Sequence, residues 1–361
     1  MDDDLMQAPA NTRELRDSEA FDDVRLGAWL AKNVQGFDEP MTVRKFRGGQ
    51  SNPTYWVGTE GRAYALRKKP PGKLLPSAHA VEREYRVMRA LADTDVPVAK
   101  THVLCEDASI IGTPFFVMDY VEGRVFWNVQ LPDASPDERR AIYREATRVL
   151  GAIHVVDVEG AGLGDYGRRG GYVARQVARW SKQYRATETR TIAEMDALVA
   201  WLPNNVPGDD ATTLAHGDYR LDNLIFHPTE SRVLAVIDWE LSTLGHPLSD
   251  LAYMCMLYEV TLPKIGGLLG VDFQATGIPP EADLVADYCA ATHRTEVPGD
   301  WAYFKAFSLF RLAAIAQGVF ARSRQGNASS DDAAMYGAAV QHLASIACDL
   351  VQISPRRIDA V

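Results

Sequence analysis

Three oxygen-bearing side chains, those of Asp218, Asn223 and Asp238, lie within the segment Leu214–Glu240 of this chain. A carboxylate can orient or deprotonate a hydroxyl group, and Mg²⁺ prefers hard oxygen ligands such as carboxylates and amide carbonyls. These are the groups needed to transfer a phosphoryl group to a hydroxyl. We therefore expect Asp218 to act on a hydroxyl, and Asn223 and Asp238 to be metal ligands.

Two short apolar runs are placed to position these side chains. Leu224–Phe226 and Val233–Ile237 are separated by a polar stretch that contains a proline, a pattern that predicts a β-hairpin. Asp218 and Asn223 come before the first strand, and Asp238 directly follows the second. The hairpin would gather the three side chains at one end of a rigid ribbon. The alternative is that both aspartates are ordinary residues of strand-end turns.

The wider pattern resembles a known family. H-G-D-x-x-x-x-N, from His216 to Asn223, and I-D-W-E, from Ile237 to Glu240, resemble the catalytic and metal-binding segments of the aminoglycoside phosphotransferase and choline kinase superfamily. The strings LRKKPPG and GDYRLDN make the chain most similar to the kinase domain fused to some acyl-CoA dehydrogenases. The resemblance implies an α+β, bilobal protein-kinase-like fold, with a small antiparallel-sheet N-terminal lobe and a large, mainly helical C-terminal lobe. It also implies that ATP and Mg²⁺ are used.

The resemblance further implies two scaffold residues. Asp250 is expected to brace the catalytic loop by accepting hydrogen bonds from backbone N–H groups. His216 is expected to support the same loop without taking part in the chemistry.

Composition and periodicity divide the chain into three predicted segments. Residues 1–20 are polar and acidic and predict a flexible arm. Residues 21–120 contain strand patterns and predict the nucleotide-binding lobe. Residues 121–361 are mainly helical in pattern and predict the catalytic and acceptor-binding lobe.

A small glycine-rich turn, Gly48–Asn52, lies between two predicted strands of the first lobe. Such a turn lets backbone N–H groups approach phosphates. By resemblance, the residues that bind the nucleotide there are Gly49, Gln50, Ser51 and Asn52. The alternative is a hairpin turn that contacts no ligand.

The next strand departs from the family pattern, because Ala65-Leu66-Arg67 has arginine where a phosphate-binding lysine is usual. Strand alternation places Ala65 and Arg67 on one face and Lys68 on the other. We predict that Arg67 binds phosphate, since a guanidinium holds phosphate through a fork of donors.

The resemblance assigns three further nucleotide-site residues. Glu84, on a predicted helix, would pair with the phosphate-binding cation, and Glu82 is the alternative. Met118 and Tyr120 fall in the segment that forms the adenine-binding hinge of the resembled fold.

Near the C-terminus, Arg311 and Arg322 fall on one face of a predicted helix that is rich in aromatic residues. In an acidic chain, such a cationic stripe predicts a site for an anionic and partly apolar acceptor. The alternative is that both arginines pair with Asp or Glu of the protein itself.

The composition narrows the class of protein. A net charge of −10 over 361 residues argues against nonspecific binding of nucleic acid. The four cysteines form no C-x-x-C pair, so we expect neither a zinc site nor disulfides, and a cytoplasmic location. We expect no membrane segment, and the acidic start MDDDLM lacks signal-peptide features. Nothing in the sequence indicates the oligomeric state.

The sequence therefore predicts an ATP- and Mg²⁺-dependent phosphotransferase whose acceptor is a small-molecule hydroxyl. The resemblance implies a hydroxy acid or a hydroxyacyl-CoA. An aminoglycoside kinase is one alternative, although a polycationic drug needs an acidic pocket and the tail has no dense acidic cluster. A non-catalytic nucleotide-binding regulator is another, favoured by Arg67 and opposed by Asp218, Asn223 and Asp238 together.

Overall fold

The chain divides into two compact units, residues 1–124 with 225–241 and residues 125–224 with 242–361. The computed structural model describes residues 6–47, 52–70, 72, 79–262, 266–297, 299–324 and 333–354. The first boundary lies close to the predicted one at residue 120. The division differs from the predicted lobes because residues 225–241, which hold most of the hairpin, belong to the first unit.

The strands of the described residues are β1 (Thr12–Arg13), β2 (Thr42–Phe46), β3 (Thr54–Gly58), β4 (Ala63–Lys68), β5 (Thr101–Cys105), β6 (Phe115–Asp119), β7 (Thr213–Ala215), β8 (Leu224–Phe226), β9 (Val233–Val236), β10 (Thr243–Gly245), β11 (Thr261–Leu262) and β12 (Gly266–Gly267). The first six form one antiparallel sheet in the order β1-β2-β3-β4-β6-β5. The others pair as β7 with β10, β8 with β9 and β11 with β12. The predicted catalytic hairpin is thus present as β8 and β9.

The α-helices of the described residues are α1 (Asp23–Asn33), α2 (Val81–Ala90), α3 (Pro136–His154), α4 (Tyr172–Thr187), α5 (Ala193–Trp201), α6 (Pro247–Cys255), α7 (Phe273–Thr276), α8 (Glu281–Ala291), α9 (Trp301–Arg324) and α10 (Ala333–Leu350). Helix α3 shows how the local sequence sets a boundary. Ser135 caps it by accepting the backbone N–H of Glu138, and Pro136 occupies the first turn.

The large sheet of the first unit buries one face against α1. Tyr64 and Leu66 on β4 are fully buried there, in a core that includes Leu26 and Leu30 of the helix. Because side chains alternate along a strand, Arg67 points away from this core. Because the apolar side chains of β4 pack against α1, the opposite face of the strand presents Arg67 to α2.

Residues 6–20 do not form the predicted flexible arm. The backbone N–H of Met6 donates to the carbonyl of Thr59, and β1 pairs with β2. Glu19 forms ion pairs of 2.7 Å with both Arg13 and Lys45, and these hydrogen bonds hold its pKa well below its usual value. The acidic composition suggested a solvated segment. Instead, Glu19 pairs with Arg13 on β1 and Lys45 on β2, and these ion pairs bind the segment to the edge of the sheet.

Helix α9 contains a longer apolar stretch than the sequence analysis recognised. It is long and apolar enough to cross a membrane by length and composition, but 78% of its most apolar window is buried inside the protein. It packs against α4, α6 and α10 of the second unit. Its buried Lys305 is neutralised by Glu259 at 2.5 Å and Glu281 at 3.0 Å. The apolar face of α9 is therefore the core of the helical unit.

Candidate functional site

The first unit holds the predicted phosphate-binding cation. Arg67 on β4 pairs with Glu84 on α2, with 2.8 Å between Nε and Oε2. Only 1% of Glu84 is exposed. The alternative partner, Glu82, pairs instead with Lys69 at 2.9 Å. Of the two carboxylates that the sequence left open, the structure joins Glu84 to Arg67.

Asn52 lies behind this pair. Its side-chain amide donates to Oε1 of Glu84 at 2.5 Å, and the residue is almost fully buried. This differs from the predicted direct contact with the nucleotide, because the amide is directed at the carboxylate that orients Arg67. The other predicted residues of this turn, Gly49, Gln50 and Ser51, lie outside the described residues.

Arg67 also binds the predicted metal ligand of the first unit. Its Nη2 forms an ion pair with Oδ1 of Asp238, and it lies 3.9 Å from Oε2 of Glu240. Asp238 has a φ of +66°, a left-handed conformation that is uncommon outside glycine but tolerated by aspartate. A single guanidinium thus connects α2 with the segment that follows the hairpin.

The charges of this cluster influence one another. Burial disfavours the charge of Arg67, but Glu84 and Asp238 raise its pKa above the usual value. Burial raises the pKa of Glu84 to about 7, and the attraction of Arg67 offsets only part of that rise. Arg67 is therefore a permanent cation that lies close to several carboxylates of this cluster.

Lys68 lies on the opposite face of β4. Its Nζ donates to the carbonyl of Ile111 at 3.3 Å and lies 5.0 Å from the ring centroid of Phe21. Burial lowers its pKa. Lys68 therefore belongs to the apolar side of the sheet, as strand alternation predicted.

Both residues predicted for the adenine-binding hinge take part in the backbone pairing of the sheet. Met118 on β6 pairs with Ala65 on one side and Thr101 on the other. Tyr120 donates its N–H to the carbonyl of Ala63, and its ring stacks on Phe46. The N–H of Tyr120 is therefore already used within the sheet.

The catalytic loop lies in the second unit, immediately after β7. Asp250 on α6 accepts the backbone N–H of His216 at 2.7 Å and that of Gly217 at 2.9 Å. Burial disfavours its charge, but the hydrogen bond from His154 and the donors of His216 hold the pKa of Asp250 below its usual value. Gly217 has a φ of +83°, a conformation that side chains rarely adopt, and it turns the loop toward Asp218.

Two side chains of the loop lie close to the carboxylate of Asp218. The amide nitrogen of Asn223 lies 3.2 Å from Oδ2 and donates to the backbone carbonyl of Asp218 at 2.8 Å. Nε of Arg220 lies 3.3 Å from Oδ1. The charge of Asp218 also contributes to the raised pKa of Tyr253 on α6. The structure therefore brings Asp218 and Asn223 together on one loop.

Sequence reasoning missed three side chains of these clusters. Arg220 lies two positions after Asp218, and Glu240 belongs to the quoted I-D-W-E string, so both could have been found from the motifs. Tyr253 had only a weak signal, since it lies one helical turn after Asp250 on α6.

The two arginines of α9 have different surroundings. Arg311 is buried, and its Nη2 donates to the carbonyl of Gly217 at 2.5 Å. This corrects its predicted contact with the acceptor, because a neutral backbone group of the protein occupies that donor. Arg322, near the helix end, is exposed.

The predicted metal ligands have suitable chemistry. Because the hydrogen bonds of Asn223 use its nitrogen, its side-chain carbonyl oxygen is left for a cation. Asp238 contributes a carboxylate that is 33% exposed. Magnesium is commonly held by one or two protein oxygens together with nucleotide phosphates. The amide oxygen of Asn223 in the second unit and the carboxylate of Asp238 in the first are each of the ligand type that this pattern uses.

Comparison with known proteins gives the family. The sequence model described as "Phosphotransferase enzyme family" matches residues 42–302. The chain belongs to this family. Its two units and antiparallel sheet are the α+β, protein-kinase-like fold that the motifs predicted. Phosphoryl transfer to a small molecule is the activity that this membership supports.

Members of this phosphotransferase family with solved structures share the fold. A Ralstonia eutropha protein, provisionally assigned as an aminoglycoside phosphotransferase, is 49% identical, with a TM-score of 0.85 over 92% of this chain and 99% of that one. The structure of aminoglycoside phosphotransferase APH(4)-Ia with AMP-PNP and hygromycin B has a TM-score of 0.57 at 16% identity, over 89% and 98% of the two chains. At that identity the likeness concerns the fold alone.

A curated relative is much longer than this phosphotransferase. Acyl-CoA dehydrogenase family member 10 of Mus musculus is 46% identical over 343 residues, which are 94% of this chain but only 32% of that protein. The chain thus spans about a third of the length of this relative.

Proposed function

We propose that this phosphotransferase transfers the γ-phosphoryl group of ATP to a hydroxyl of a small molecule. The observation that carries the proposal is the catalytic loop, in which Asp218 and Asn223 are hydrogen bonded and Asp250 fixes the preceding backbone. Such fixation is unnecessary for a surface turn. It suits a carboxylate that must meet a hydroxyl in one orientation.

Each side chain has a proposed task. Asp218 orients the acceptor hydroxyl and takes its proton as the oxygen attacks the γ-phosphorus, while the bond from that phosphorus to the leaving ADP oxygen breaks. Arg67 binds phosphate oxygens, and Glu84 keeps its guanidinium in place. Asn223 and Asp238 hold Mg²⁺, which when bound neutralises charge on the phosphates.

The proposed acceptor is a hydroxy acid or a hydroxyacyl-CoA. The support is the 46% identity to a protein named as an acyl-CoA dehydrogenase family member. An aminoglycoside is the second candidate, because the Ralstonia eutropha protein is provisionally assigned to that class. A cytoplasmic location is also part of the proposal, supported by four buried cysteines that are all free thiols.

The deciding experiment measures ADP release with Mg-ATP against a panel of acceptors. The panel contains hydroxy acids, hydroxyacyl-CoAs of several chain lengths, and aminoglycosides. We expect release that depends on a hydroxyacyl compound and on Asp218. Asp218→Asn should lower it by about a hundredfold or more, with ATP affinity within a few-fold of the parent.

Two outcomes would contradict the proposal. ADP release that requires an aminoglycoside would keep the phosphotransferase activity but overturn the acceptor class. Mg-ATP binding without acceptor-dependent release, across the whole panel and in the parent as in Asp218→Asn, would favour the non-catalytic regulator.

A further inference from the structure

The peptide bond that precedes Asp218 is held at both of its polar atoms. Its carbonyl, which belongs to Gly217, accepts from Nη2 of Arg311 at 2.5 Å. Its N–H, which belongs to Asp218, donates to Nδ1 of His216 at 3.2 Å. Because a peptide unit is planar, fixing both atoms fixes its plane and with it the position of the Asp218 Cα, from which the side chain leaves the backbone.

The guanidinium of Arg311 lies close to two aromatic rings. Its guanidinium carbon lies 4.7 Å from the ring centroid of Tyr253 on α6 and 5.3 Å from that of Trp180 on α4. Both distances are within the range of cation–π attraction. Its Nε is buried and has no hydrogen-bond partner. The side chain thus forgoes one hydrogen bond while it joins α4, α6 and α9 to the catalytic loop.

Tyr253 on α6 packs beside the same loop. The residue is 4% exposed, and the guanidinium that binds the Gly217 carbonyl lies 4.7 Å from its ring centroid. Burial and the nearby charge of Asp218 raise the pKa of Tyr253 to about 12. At neutral pH the hydroxyl therefore carries its proton and can donate to a carboxylate.

We propose that Arg311 and Tyr253 are positioning residues for Asp218, an assignment that rests on the proposed function. Arg311 sets the peptide plane before Asp218 and holds the Tyr253 ring. Tyr253 then sets the rotation of the carboxylate through its hydroxyl. Neither residue contacts the acceptor in this scheme, so Arg311 acts through the loop.

The role of Arg311 is tested by hydrogen exchange of the 214–224 peptide in nucleotide-free protein. In Arg311→Lys, the ammonium cannot both stack between two rings and reach Gly217, so exchange should be about tenfold faster. Arg139→Lys is the matched control, because Arg139 donates to the carbonyls of Leu131 and Thr276 in the same unit. Equal exchange in the two lysine variants and the parent would overturn the role of Arg311. If Arg311→Ala folds, its hydrogen exchange is measured as well. If it does not fold, the exchange of Arg311→Lys alone tests the role of Arg311.

The role of Tyr253 is tested by NMR of protein carrying ¹³Cζ-labelled tyrosine. The Tyr253 signal is identified by its loss in Tyr253→Phe, and it should shift in Asp218→Asn because the hydroxyl loses a charged acceptor. The signal of Tyr303, whose hydroxyl donates to the carbonyl of Leu202 at 3.0 Å, serves as the control and should stay in place. An unmoved Tyr253 signal would overturn the contact.

Hydrolysis of Mg-ATP, with water as acceptor, separates positioning from binding. Tyr253→Phe should lower kcat about tenfold and leave KM for ATP unchanged, whereas Tyr303→Phe should change neither. A Tyr253→Phe variant with parental kcat would contradict the proposal. The exchange and NMR measurements need no turnover, so they test the two contacts even if the proposed function fails.

Discussion

Arg67 stands where the resemblance implies a lysine, and its shape explains what an arginine achieves there. The guanidinium reaches Glu84 through Nε and Asp238 through Nη2, which one ammonium could not do with the same geometry. A phosphate entering this site must share the guanidinium with both carboxylates. Arg67, the proposed phosphate-binding residue, is therefore also a connection between α2 and Asp238.

We expect Arg67→Ala to raise KM for ATP and to lower kcat, because it removes the phosphate donor and leaves Glu84 buried without its cation. Arg67→Lys should retain substantial activity, since a point charge is the usual family solution. Lys68→Ala is the neighbouring control, and steady-state kinetics should show little effect. A result in which Lys68 is essential and Arg67 dispensable would contradict the assignment.

Glu84 should make stability depend on pH. Its folded pKa of about 7 lies above the ordinary value of 4.5, so the folded state binds more protons between these two values. Stability from this group is therefore present below about pH 4.5 and is lost as the pH rises toward 7. In urea unfolding at several pH values, Glu84→Gln should lack this loss. Parallel pH profiles for parent and variant would show that Glu84 does not titrate there.

The elements position the site through backbone contacts more than through side-chain pairs. Helix α6 presents Asp250 to two N–H groups of the loop after β7, and α3 contributes His154 to the same carboxylate. A carboxylate that accepts several hydrogen bonds is stabilised in its charged form. The loop conformation therefore depends on one buried charge.

Asp250→Asn should destabilise the protein by about 2 kcal/mol at pH 7, because an amide has one acceptor oxygen in place of two. The folded pKa of Asp250 is lowered, so its contribution is present above the unfolded value of about 3.8 and is lost as the pH falls through the folded pKa. The difference between parent and variant should therefore shrink in acid. Chemical denaturation from pH 7 down to pH 3 measures it, and a pH-independent difference would contradict this account.

At the scale of the whole molecule, nucleotide binding should be visible as a gain in global stability. A ligand at a hundred times its dissociation constant stabilises a protein by about 2.7 kcal/mol, because it binds the folded state and not the unfolded one. We expect Mg-ATP to raise the melting temperature of the parent and EDTA to remove most of that rise.

Asp238→Asn should weaken the Mg²⁺-dependent part of this effect, since it removes a charged oxygen ligand. Calorimetric titration with Mg-ATP and with ATP in EDTA separates the Mg²⁺-dependent part of the affinity from the part that is due to ATP alone. Unchanged affinity for Mg-ATP would make Asp238 a turn residue whose charge serves only Arg67.

The sequence alone predicted the chemistry and determined the local frame. Asp218, Asn223 and Asp238 were found because their spacing, and the apolar runs around them, are local properties that periodicity reveals. The same holds for the capped start of α3 and for the face of β4 that carries Arg67. The family match and the antiparallel sheet agree with these local patterns.

The tertiary structure decided which groups the long charged side chains contact. Arg311 has a helical spacing that fits an acceptor site, yet folding brings the carbonyl of Gly217 and two aromatic rings to it. Residues 6–20 look solvated in sequence, yet Arg13 and Lys45 hold Glu19. Partners that are remote in sequence leave no periodic signal, because a charged side chain satisfies the same local pattern whether it meets water, a ligand or a buried backbone group.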